Sequence, residues 1–79
     1  TAASLATADQ PLFETLRERR KQIADSLDLP PYVIFHDATL KQMAEVRPKT
    51  EADLLSINGV GEAKLERYGK AFLEVIAAA

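Results

Sequence analysis

Two consecutive prolines, Pro30-Pro31, stand before Tyr32-Val33-Ile34-Phe35, and this stretch decides the fold class. Those four residues have the composition of a strand, yet the chain offers no second strand to pair with them. A lone strand would leave its backbone N–H and C=O groups without partners. The diproline also ends any helix that precedes it and stiffens the residues after it. The segment 31–35 is therefore expected to be a short 3₁₀ or helical turn. It would plug Val33, Ile34 and Phe35 into a core and leave the Tyr32 ring partly outside. With no sheet to build, the chain must be all-α.

The remaining segments carry helical periods. Asp9-Gln10-Pro11 is a helix start, with an N-cap residue and Pro in the first turn. Leu12, Leu16, Ile23 and Leu27, widened by Phe13 and Ala24, predict an amphipathic helix over 10–28. A second helix over 38–46 opens with Asp37 as N-cap, buries Leu40, Met43 and Ala44, and is stopped by Pro48. Thr50-Glu51-Ala52-Asp53 reads as a capping box with Asp in place of Glu, starting a short helix over 51–56 that carries Leu54 and Leu55. Leu65, Tyr68, Phe72 and Ile76 recur at intervals of three and four, predicting a helix over 62–77. Gly69 lies inside it at a cost of about 1 kcal/mol relative to Ala, and is expected to admit the backbone of another helix. The reading is a compact bundle of about five helices over 9–79, preceded by a linker tail at 1–8.

Size and composition narrow the function. At 79 residues the chain is one domain with a small core. It has no cysteine and a single histidine, which excludes disulfides, thiolate metal sites and histidine-rich metal sites. No apolar run reaches membrane-spanning length and no signal-peptide pattern is present, so an intracellular, soluble protein is expected. A first residue of Thr rather than Met is expected of a domain cut from something longer. His36-Asp37 has no nucleophile beside it, and there is neither a P-loop nor a supported carboxylate pair. No catalytic residue, metal or cofactor is assigned.

Ten basic and twelve acidic residues give a net charge of −2. Binding to nucleic acid would need a local patch and would be weak and salt-sensitive. One such patch is Arg17-Glu18-Arg19-Arg20-Lys21, although a charge run of this kind is usually only a solvated face with pairs such as Glu14–Arg17.

A second candidate is Leu54-Leu55-Ser56-Ile57-Asn58-Gly59-Val60-Gly61. Gly59 supplies a positive φ, and Gly61 permits close backbone approach. Gly61 as N-cap makes Val60 and Leu65 the two members of a hydrophobic staple. The free N–H groups of the following helix, with Lys64 on its first turn, would hold a phosphate. The same geometry also serves a plain helix–helix corner, and both readings stand. The spacing resembles the helix-hairpin-helix motif, with Asn58 where Pro is usual and Leu65 where a small Ala is usual.

Several segments together resemble one family. Leu12-Phe13-x-x-Leu16-Arg17, Pro30-Pro31-Tyr32-Val33-Ile34-Phe35-x-Asp37-Ala38-Thr39-Leu40, Ile57-Asn58-Gly59-Val60-Gly61 and Lys64-Leu65-Glu66-Arg67-Tyr68-Gly69 occur in the order of the HRDC domain (helicase and RNase D C-terminal). The resemblance runs from about residue 11 to 76, and the wording is that of the bacterial RecQ-helicase branch rather than RNase D. It implies a helical bundle C-terminal to a helicase core, without ATPase or nuclease activity of its own. Such a domain would help the helicase grip single-stranded or junction DNA in repair and recombination. Implied partners are that DNA and the helicase core of the parent chain, with the domain a monomer in the bacterial cytoplasm at the nucleoid. The family's aromatic residue after the diproline matches Tyr32, and Arg17, Arg20, Lys21 and Lys41 are the basic positions that would share its face. The alternative is a protein-docking module that uses the acidic residues Asp25, Asp28, Glu51 and Asp53.

Overall fold

The computed structural model describes residues 7–79, so most of the expected tail, 1–6, lies outside the described residues. Thr7–Asp9 form a 3₁₀ turn that leads into α1 (Gln10–Leu27). Next come α2 (Pro31–Ile34), α3 (Asp37–Val46), α4 (Glu51–Leu55) and α5 (Glu62–Ala78). Among the described residues the chain is all-α, with five α-helices and no strand. α1 is the spine, packing on α2, α3 and α5, while α4 packs on α5.

The core gathers Leu12, Leu16, Ile34, Phe35, Leu40, Met43, Leu54, Ile57, Phe72 and Ile76. Phe35 stands at its centre, in the extended residue that joins α2 to α3. The Phe72 and Tyr68 rings meet it edge-on, at centroid distances of 5.0 and 6.2 Å. This arrangement sets the positive edge of one ring against the negative face of another.

Where the observed packing departs from the periodic reading, local geometry explains it. The buried stripe of α1 is Leu12, Phe13, Leu16, Arg20 and Ala24. Leu27, expected on that stripe, is 50% exposed. The helix ends there, as Asp28 takes a left-handed conformation (φ 58°) and its N–H turns back to Ala24 and Asp25. Val33, expected in the core, is 37% exposed. Val33 and Ile34 are successive residues of α2 and point about 100° apart, so Ile34 faces the core and Val33 turns outward, while Phe35, past the helix in extended conformation, returns to the core. Leu55 is also largely outside, whereas its neighbour Leu54 is buried.

The start of α3 differs from expectation, whereas Asp9 is the N-cap of α1 as expected. His36 is the N-cap of α3, and Asp37 is its first helical residue. Asp9 makes no side-chain cap bond, and its carboxylate lies 3.5 Å from Arg47. Thr50 does cap α4, accepting the Asp53 N–H at 3.1 Å. Gly69 is covered by side chains rather than by another backbone: a Cβ there would lie 2.7 Å from Leu65 Cδ1 and 3.6 Å from Leu54 Cδ2.

Candidate nucleic-acid interface

Proline at the start of α2 suits a helix because its missing N–H would have no intrahelical partner there. The turn it opens lifts Tyr32 to the surface, where the residue is 60% exposed. The Tyr32 and His36 rings lie near-parallel, with centroids 6.1 Å apart and planes 28° from one another.

Arg20 fastens this corner from within. It is 8% exposed, and its Nη1 donates to the Phe35 carbonyl at 2.9 Å and pairs with the Asp37 carboxylate at 2.7 Å. Sequence reasoning placed Arg20 among the free cations. Its position one turn after Leu16 and one turn before Ala24 instead puts it on the buried stripe, where its guanidinium meets a carbonyl that water does not reach.

Arg17 and Lys21 remain on the outer side of α1. Each is matched to an acid one turn away: Arg17 to Glu14 at 3.4 Å and Lys21 to Asp25 at 3.1 Å. The hydrogen bond and charge of Asp25 raise the pKa of Lys21. These side chains line a polar cleft of about 330 Å³, with Glu18 and Arg20 beside them and Pro31 on its wall. Arg17 and Lys41 also flank one ring, at 5.7 and 5.9 Å from the centroid of Phe13. The hydrogen bond from Arg20, then the charges of Arg20, Arg17 and Lys41, hold the Asp37 carboxyl below its ordinary value against the opposing effect of burial. Arg17, Arg20 and Lys21 of α1 thus lie near Pro31, the residue before Tyr32, and Lys41 of α3 shares the Phe13 ring with Arg17.

The glycine turn has a structural cause of its own. Gly59 adopts φ 92°, and a Cβ there would collide with Thr39 Oγ1. That hydroxyl donates to the Asn58 carbonyl at 3.0 Å, tying the turn to the first turn of α3. Val60 is buried and belongs to the core. Gly61 is the N-cap of α5 and faces open space. Lys64 does not extend away from the bundle but sets its Nζ 5.8 Å from the Phe35 ring centroid.

Among the acidic positions, Asp25 is held by Lys21 and Asp53 accepts the Lys49 N–H at 3.4 Å. Asp28 lies at the left-handed end of α1, and Glu51 in the first turn of α4. Sequence reasoning missed two features. The nearness of the His36 ring to Tyr32 was not foreseen, because the two residues stand on different helices and no helical phase links them. Phe13 was assigned to packing alone, although Arg17 comes one helical turn after it.

The family model described as the HRDC domain matches residues 9–76. The ATP-dependent DNA helicase RecQ of Pasteurella multocida (strain Pm70) is 48% identical over 73 residues, covering 92% of this chain and 12% of that helicase. The ATP-dependent DNA helicase RecQ of Bacillus subtilis (strain 168) is 47% identical over 76 residues, covering 96% of this chain and 13% of the helicase. The chain therefore spans about an eighth of the length of these relatives. Among solved structures, HRDC domain 3 of Deinococcus radiodurans RecQ superposes with a TM-score of 0.86 at 33% identity, covering 91% of this chain and 95% of that one.

Proposed function

The chain belongs to the HRDC domain family, and on that premise we propose that it is the accessory DNA-binding domain of a RecQ-type ATP-dependent helicase, holding single-stranded or junction DNA during repair and recombination. The observation that supports this most is the exposed Tyr32 ring, next in the chain to Pro31, which walls the cleft lined by Arg17 and Lys21. A nucleobase stacks on such a ring whatever its identity, because every base has a π-face. Arg17, Lys21 and Lys41 would meet the phosphates, with Lys64 beside the Gly59-Val60-Gly61 turn as a further contact. Arg20 holds the platform in place and takes no phosphate.

Three or four neutralised phosphates give a slope of about −2 to −3 for log K against log salt. Arg17 and Lys21 already have acidic partners, so affinity is low for the isolated domain. Tethering to a helicase core compensates by raising the effective concentration of the strand. The chemistry of unwinding belongs to that core. The test is a fluorescence titration of a labelled oligothymidylate over a salt series, with the unaltered chain and Tyr32→Ala. Loss of one stacked base is worth about 1–3 kcal/mol, and equal affinity of the two proteins would remove Tyr32 from the interface.

A further inference from the structure

Building on the strand-binding reading, we propose that His36 is a second stacking surface beside Tyr32, so that the unit held is two successive bases of a single strand. Both residues are exposed. Their rings are near-parallel at 6.1 Å between centroids, well beyond the ~3.4 Å rise between stacked bases in a duplex strand. Rings this far apart do not cover one another as closely stacked bases do, so each keeps π-surface open to a base.

The pair is preset. Tyr32 stands on α2, and His36 caps α3 with its carbonyl accepting N–H groups from Thr39 at 3.0 Å and Leu40 at 3.2 Å. Between them Ile34 and Phe35 are wholly buried, and Arg20 holds the Phe35 carbonyl. Little freedom is left to lose on binding, which favours association.

The surrounding charge suits a strand. Asp37, the acid nearest in sequence to His36, is paired with Arg20, and Arg17 and Lys41 also act on it.

The test compares the 79-residue chain with His36→Ala, His36→Phe and Tyr32→Ala, each titrated with the same labelled oligothymidylate and each checked by thermal melting. The expected result is a loss of about five-fold or more for His36→Ala, the lower end of what one stacked base contributes. His36→Phe should restore binding, and the imidazole proton resonances of the unaltered chain should move upfield when the oligonucleotide is added. Unchanged affinity for His36→Ala alongside a weakened Tyr32→Ala would overturn the role of His36 and leave the strand-binding reading intact. Failure of His36→Phe to bind better than His36→Ala would overturn stacking as its basis. Absence of binding by the unaltered chain would overturn both.

Discussion

Replacing Arg20 with Ala tests the claim that this cation supports the fold rather than meeting DNA. The substitution strips the Phe35 carbonyl of its donor in a residue with no solvent exposure. Leaving a buried acceptor unsatisfied costs about 1–3 kcal/mol. The ion pair adds less than about 1 kcal/mol, because the Asp37 side chain is 59% exposed. Loss of the packed aliphatic stem adds to the cost. Against this, Arg20 Nε is buried without a partner, so part of its own desolvation is relieved on removal. The balance is about 2–4 kcal/mol, which for a domain of this size lowers Tm by roughly 10–25 °C. Urea unfolding followed by circular dichroism measures it, with Arg17→Ala as the exposed control. If the two variants lose stability equally, within about 0.5 kcal/mol, the supporting role assigned to Arg20 is wrong.

Gly59→Ala should destabilise by about 1–3 kcal/mol, through a positive φ and a collision with Thr39, and the same unfolding assay reads it. Asp25→Asn releases Lys21 from its partner and should tighten binding to an oligothymidylate at low salt by a few-fold, a gain that vanishes as salt rises. Unchanged affinity there would take Lys21 out of the interface. Asp37 has a folded-state pKa below its ordinary 3.8. Its contribution to stability is therefore complete above about pH 5 and is lost as pH falls through the folded value. Thermal melts between about pH 7 and 2.5 should show an acid-side decline that is shallower in Asp37→Asn, and identical profiles would contradict the ion pair.

The helices were legible because hydrophobic period is a local property of the chain. Leu65, Tyr68, Phe72 and Ile76 announced α5, and the lack of any pairing partner identified Tyr-Val-Ile-Phe as a helical turn rather than a strand. Exposure of Tyr32 came from the same reasoning. The role of Arg20 was obscured because a run of like charges shows no difference among its members until a helical phase is imposed. Its interval of four from both Leu16 and Ala24 held that phase. The Gly59–Thr39 contact was not legible, since it joins residues far apart in the chain. Nothing in either local segment names the other.

The hydroxyl of Thr39 has a consequence for how a strand would span this surface. One end of the same short helical turn is anchored by Arg20 through Asp37, and the other holds the Asn58-Gly59 reversal. The aromatic corner and the glycine corner are therefore mounted on a common bracket, with no loop between them to take up slack. A strand reaching both must match a distance set by the protein. Under the proposed strand binding, affinity is expected to respond in a step to oligonucleotide length rather than to base sequence.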